Sequence, residues 1–235
     1  MWQNLAEDYK NLIVNPDWDS QFLRRSGLVP NIVEMIGNCE DSVLLDAGTG
    51  TGWLFDYVKP AKAFACDVNK PEKIPDGVRF EIQDVESLTY ADHTFDIIVA
   101  SLLLIFCERL REVCNELYRI AKPNGGRLIV SVMHPYFYRT GYVTDDKNFL
   151  ITEDLSQPFQ IPLKIADQVG PLVYYYRPLP DYVNTLIDVG WEVRSLRDWF
   201  IDMGDYENLI SGGVRSKIER TGQVPLYTFI ECVKH

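Results

Sequence analysis

The segment Val43-Leu44-Leu45-Asp46-Ala47-Gly48-Thr49-Gly50-Thr51-Gly52 decides how this chain is read. An apolar run ends in an acid, and glycines then recur at every second position. The run has the continuous hydrophobicity of a strand buried on both faces of a parallel sheet. The glycines predict a tight turn where backbone N–H groups approach a ligand, leading into a helix N-terminus. Their spacing separates two ligand classes. The dinucleotide-binding turn is G-x-G-x-x-G, with its third glycine one residue later. Here the order is D-x-G-x-G-x-G.

Outward from that turn, strand and helix signals alternate. Strands are expected over 42–46, 62–67, 78–83, 96–100 and 127–133, and helices over 51–58 and 107–121. The second of these helices carries Leu110, Val113, Leu117 and Ile120 on one face and stops at Pro123-Asn124-Gly125-Gly126. Farther on, 173–177, 191–197 and 225–234 read as strands and 179–189 as an amphipathic helix. This rhythm predicts an α/β fold with a parallel, doubly wound sheet covered on both faces. Upstream, Leu5, Tyr9, Leu12 and Ile13, then Ile32, Val33 and Ile36, mark helical faces, so residues 1–40 read as an N-terminal helical cap. Residues 136–172 break the rhythm. They are rich in Tyr, Phe, Asp, Gln and Pro, and loops of this length usually serve as lids or inserts. The whole chain, 1–235, reads as a single domain.

Composition narrows the function. The 235 residues carry a formal net charge of -11, which argues against a nucleic-acid partner, and no Lys/Arg cluster offsets it. The five cysteines form no C-x-x-C, and Cys66 and Cys232 lie in apolar runs, as buried reduced thiols do. The three histidines are far apart, so no metal site is expected. The N-terminus lacks a basic region and an apolar core, and the longest apolar stretch, 97–107, falls short of the about 20 residues that span a bilayer. A cytoplasmic location follows as the expectation.

Several motifs then agree in order and spacing with one family. The chain resembles the class I S-adenosylmethionine (SAM)-dependent methyltransferases, specifically small stand-alone members of the UbiE-like type, from about Tyr9 to the C-terminus. Asp46, Gly48, Gly50 and Gly52 match the first motif, with Ala47 and Thr49 between them. Asp67, closing the second strand, matches the family acid that takes both ribose hydroxyls; a carboxylate has two acceptor oxygens for two O–H donors. Asp84-Val85 matches the segment that reads the adenine, and Ser101-Leu102 the one facing the methionine portion. The run Arg119-Ile120-Ala121-Lys122-Pro123-Asn124-Gly125-Gly126 is close to the family's R-x-L-K-P-G-G, and Ser131-Val132-Met133-His134-Pro135 resembles an S-x-x-H-P run of one subset. The resemblance implies a Rossmann-like seven-stranded sheet, a C-terminal antiparallel hairpin, an insert after strand five, and SAM as cofactor.

Two departures stand out. Only ten residues separate Asp67 from Val78, including Pro71, Pro75 and Gly77, where the family places a helix over the adenine; the contact expected of Val68 is affected. Near the N-terminus the family's Tyr-Asp pair is Tyr9-Lys10, so Tyr9 alone carries over as a cofactor residue.

The cofactor implied is a sulfonium and is already activated, so catalysis is mostly orientation of a nucleophile. A base is needed where the acceptor holds a proton. His134, at the end of the fifth strand, is the candidate, while Asp96 starts a strand at the opposite end and reads as structural. Tyr138 and Tyr174 are candidates for lining a small-molecule acceptor site. Transfer of a methyl group to an O or N atom of a small molecule is the expected activity. The alternatives are a non-catalytic SAM-binding protein, a methyltransferase acting on RNA or protein, and a nicotinamide-dependent reductase.

Overall fold

The computed structural model describes residues 23–135, 142–143, 149–150, 154–165, 168–201 and 225–235. Tyr9, Tyr138 and most of the expected N-terminal cap lie outside them. The described part of that cap is helical: a π-turn at Arg24–Leu28 runs into α1, Val29–Ile36. Gly37, at φ +65°, ends α1, and its last carbonyls, Met35 O and Ile36 O, accept from the Arg127 guanidinium.

Five parallel strands follow: β1 (Val43–Ala47), β2 (Lys62–Asp67), β3 (Val78–Ile82), β4 (Ile97–Ser101) and β5 (Gly126–Met133). Two short strands, β6 (Tyr142–Val143) and β7 (Phe149–Leu150), pair with each other. Then come β8 (Phe159–Ile165), β9 (Gln168–Tyr176), β10 (Glu192–Trp199) and β11 (Tyr227–Lys234). The main sheet has seven strands in the order β10-β11-β5-β4-β1-β2-β3. β11 is antiparallel to both β5 and β10. This is the mixed sheet that the alternation and the late strand pair imply. The order reverses at β1, which pairs with β2 on one side and β4 on the other. In open α/β sheets that switch point is where ligands enter.

One face of the sheet is covered by α2 (Leu110–Ile120) and α3 (Leu179–Val189), the other by α1. α2 buries Leu110, Val113, Cys114, Leu117 and Ile120, positions that share one stripe of a 3.6-residue period. Lys234 of β11 caps its far end, donating to Tyr118 O (2.7 Å) and Ala121 O (3.0 Å). The central strands are buried almost throughout, as a two-sided apolar run requires.

Two local expectations are corrected. The helix read over 51–58 is a single 3-10 turn, Trp53–Asp56. The strand read at 173–177 does not join the main sheet; it is the end of β9, which pairs antiparallel with β8 in a separate hairpin. Phe159, Ile161, Leu163 and Ile165 alternate with Gln160, Pro162 and Lys164, but Pro162 cannot donate to a ladder, which argues against reading the run as a strand. The β2–β3 connection holds turns and no helix, which leaves the edge strand β3 lightly covered, with Ile82 at 66% exposure.

Candidate functional site

The parallel registers bring the sequence-marked segments to one edge of the sheet. Asp67 of β2 pairs with Ile82 of β3, and Ala47 of β1 with Cys66 of β2. Asp46 faces Val99 of β4, and Ser101 of β4 pairs with Ser131 of β5. Across that edge the chain therefore presents Asp84, Asp67, the glycine turn, Ser101-Leu102 and His134. Asp96 is at the opposite edge, accepting from Val43 N (2.8 Å) and Lys122 Nζ (2.8 Å to each oxygen), a structural anchor.

The glycine turn differs from a phosphate cradle. Gly48, Gly50 and Gly52 have φ of +68°, +55° and +75°, a region costly for residues with a Cβ. A Cβ at Gly48 would lie 2.6 Å from Leu103 Cδ1, and one at Gly52 would lie 3.3 Å from Lys73 O. At Gly50 nothing lies within 4 Å of that position. Gly50 thus borders open space, and the other two are held against protein. The N–H groups expected to approach a ligand are engaged internally. Gly48 N and Thr49 N donate to Cys66 O (2.9 and 3.0 Å), Gly52 N to Thr49 O (2.9 Å) and Gly50 N to Asp67 Oδ2 (2.9 Å). With only a four-residue 3-10 turn after it, containing Asp56, the loop lacks the helix dipole that holds a pyrophosphate.

In place of donors the turn gathers carboxylates. Asp46 is buried, accepts from Thr49 Oγ1 at 2.6 Å, and has its pKa pushed up to about 7, by burial first and by the nearby Asp67 charge as well. Asp67 accepts from Asn69 N (3.0 Å) on one oxygen and from Gly50 N on the other. Burial raises its pKa in spite of the N–H donors of Asn69, Gly50 and Val68. Each Asp67 oxygen keeps acceptor capacity beyond its backbone bond. Such a site attracts cations and hydroxyls and repels anions.

Beyond β3, Asp84 is exposed and accepts from Glu86 N at 2.9 Å, closing its own turn. Val85 and Ala47 are core residues. After β4, Leu102 takes φ +52° and donates to Ser131 O (2.9 Å) and Ser131 Oγ (3.1 Å). Ser131 Oγ also meets Ser101 Oγ at 3.2 Å. This contorted backbone at the strand end carries Leu103 over Gly48. His134 N donates to Leu226 O at 2.8 Å. Its imidazole is almost fully buried, with Nε2 4.0 Å from Asp198 Oδ2. Burial holds the His134 pKa below the ordinary histidine value, and the Asp198 carboxylate opposes that shift. Asp198 and its partner Thr228 carry no sequence signal, because their meeting with His134 depends on the register of β11 between β5 and β10.

Tyr174 is packed rather than open: it is 2% exposed, with its ring edge-on to Phe106 at 6.5 Å. Arg177 caps the loop before α2, donating to Cys107 O (2.7 Å) and Glu108 O (2.8 Å). A separate surface cleft of about 410 Å³ lies between α2 and α3 and includes none of Asp46, Gly50, Asp67 or His134. Among the described residues, no group of three or more His, Cys, Asp or Glu side chains could hold a metal ion, and no helix is long and apolar enough to cross a membrane.

Sheet order, switch point and acid-lined glycine turn define the class I methyltransferase architecture. Residues 45–130 match the family described as methyltransferase domain. The chain is 31% identical over 114 residues to the ubiquinone/menaquinone biosynthesis C-methyltransferase UbiE of Hydrogenovibrio crunogenus, covering 42% of this chain and 44% of that protein. It is 25% identical over 143 residues to the malonyl-[acyl-carrier protein] O-methyltransferase of a Buchnera aphidicola strain, covering 58% of this chain and 57% of that one. The matches thus span about half the length of these curated relatives. The SAM-dependent methyltransferase structure from Mesorhizobium loti superposes with a TM-score of 0.68 at 18% identity, over 87% of this chain and 96% of that chain. Over residues 45–130 the chain thus matches a methyltransferase domain, and it shares the fold of SAM-dependent methyltransferases.

Proposed function

We propose that this chain transfers the methyl group of S-adenosylmethionine to an oxygen or nitrogen of a small molecule bound between the glycine turn and β5. The observation that carries this reading is the character of the turn, which offers open space at Gly50 and carboxylates where a dinucleotide site offers N–H donors. A sulfonium and an ammonium are cations, and a ribose brings hydroxyls; both suit Asp46 and Asp67. Bound SAM supplies a methyl group on an activated sulfonium.

The remaining assignments follow position along the edge. Asp67 takes the ribose hydroxyls, with Val68 beside it. Asp84 and Val85 border the adenine side, and Ser101, Leu102 and the strained loop face the methionine portion. Thr49, Ala47, Gly48 and Gly52 shape the turn. His134 is separated from β1 by one strand, about 10 Å at ordinary strand spacing, which leaves room for an acceptor between. It acts as the base for an acceptor that must lose a proton. Tyr174 forms packed wall rather than a hydroxyl handle. The relatives named for O- and C-methylation bracket the acceptor chemistry; a buried histidine favours the proton-bearing O or N class.

The test is a panel of hydroxyl, carboxyl and amine acceptors with methyl-labelled SAM, preceded by thermal-shift comparison of SAM with NADH. Stabilisation by SAM and not NADH, followed by label transfer to an O or N acceptor, is the expected result. Stabilisation by NADH alone would overturn the cofactor assignment. SAM binding with no transfer across the panel would favour a non-catalytic SAM-binding protein.

A further inference from the structure

We infer that Asp198 of β10, held by Thr228 of β11, is a positioning residue that orients His134 and stabilises its protonated form during methyl transfer. The inference rests on the reading of His134 as the base.

The geometry comes from the closing strands. β11 lies between β5 and β10, with Thr228 directly opposite Val132 on one side and Asp198 on the other. His134 is two residues past Val132. The strand ends are laced together by His134 N donating to Leu226 O (2.8 Å) and Leu226 N donating to Trp199 O (2.8 Å). Within this frame Thr228, fully buried, donates its hydroxyl to Asp198 Oδ1 at 2.7 Å. That bond fixes one oxygen and leaves Oδ2 4.0 Å from His134 Nε2, an ion-pair distance about 1 Å beyond a hydrogen bond.

A histidine that only fills space has no use for this carboxylate, because burial keeps the ring neutral. A base does. As the acceptor's O or N bonds to the methyl carbon, the carbon–sulfur pair stays with sulfur and the acceptor's proton passes to the imidazole. A cation then forms where water is excluded, and an adjacent carboxylate is what makes that state accessible. The acceptor class this fits is one that carries a proton on its nucleophile.

The test is histidine NMR on the whole chain, which needs no acceptor and has three imidazoles to resolve, those of His93, His134 and His235. His134→Gln assigns the signal. In Asp198→Asn the His134 pKa should fall by about one pH unit, the low end of the shift an opposite charge gives at this range, with His93 and His235 unmoved. Thr228→Val should give a smaller fall, and Asp198→Glu should restore the wild-type value. Thermal melting confirms that each variant is folded, and Thr228→Val carries the comparison if Asp198→Asn is not. Once an acceptor is found, Asp198→Asn should lower kcat and shift the acidic limb of the pH profile at unchanged S-adenosylhomocysteine affinity. An unchanged His134 pKa in folded Asp198→Asn would overturn the Asp198 assignment and leave the base reading standing. A coupled pKa together with wild-type transfer by His134→Gln would overturn the base reading and, with it, the positioning role.

Discussion

The two halves of the crevice are built by different means. Around β1, β2 and β3, the residues of the site sit in short runs at strand ends: the glycines follow β1 by one to five residues, and Asp67 ends β2. At the other half, His134, Thr228 and Asp198 come from three strands, and the residues that meet are 30 apart or more along the chain. The first half is acidic, with raised carboxyl pKa values; the second is a buried imidazole with a depressed one. On the proposed assignments the lesson is a division of labour, with cofactor recognition carried by strand ends close together in sequence and acceptor chemistry by how the sheet closes.

Substitutions can separate the halves. The largest effect expected is on the acceptor side: His134→Gln should lower kcat by about 10²–10⁴-fold, the usual contribution of a general base. S-adenosylhomocysteine affinity by calorimetry should stay near wild type. The acidic limb of the wild-type profile should fall below the ordinary histidine pKa, since burial keeps the ring unprotonated to lower pH. A variant within tenfold of wild type at every pH would make the imidazole a structural group.

On the cofactor side the effects belong to binding. Asp67→Ala should weaken S-adenosylhomocysteine by about 1.5–3 kcal/mol, the range for hydrogen bonds to a charged group. Calorimetry checks this, and a change within error would reduce Asp67 to the turn cap it makes with Asn69 and Gly50.

Two glycines sharpen the contrast further. Gly48→Ala drives a Cβ into Leu103 and should lower stability by about 1–3 kcal/mol, as overpacking does. Gly50→Ala meets no atom and should cost only the left-handed backbone strain, about 1–2 kcal/mol. Gly50→Val should remove ligand binding from a folded protein, because its side chain enters the space left at the turn. Chemical denaturation and calorimetry on all three variants read both quantities. Equal binding by Gly50→Val and wild type would place the cofactor elsewhere.

The smallest effect is a pH dependence. The folded pKa of Asp46, about 7, exceeds its unfolded value. The folded state therefore binds this proton more tightly, and the associated stability is full below about pH 4 and lost as pH rises through 7. A cationic ligand should favour the ionised form, so SAM affinity should rise between pH 6 and 8, by about tenfold at most. In Asp46→Asn that rise should flatten, and calorimetry across the interval would show whether it does.

Much of this protein was legible in the order of its residues alone. Apolar central strands and glycine punctuation pointed to a parallel α/β sheet, because a strand covered on both faces has no polar side to show. The order Asp46, the glycines, Asp67, Asp84 along successive strand ends placed the crevice, because parallel strands deliver their C-terminal ends to one edge. Tertiary structure decided the rest. Whether the N–H groups at Gly48 to Gly52 faced a ligand or the protein depended on where Cys66 O and Asp67 lay, a matter of strand register. The hairpin of β8 and β9 was hidden by Pro162, which cannot donate to a ladder and so argues against a strand despite the alternation around it. The pairing of His134 with Asp198 required an antiparallel strand, β11, to be inserted between theirs, and no local pattern encodes a contact set by the ladder of a third strand.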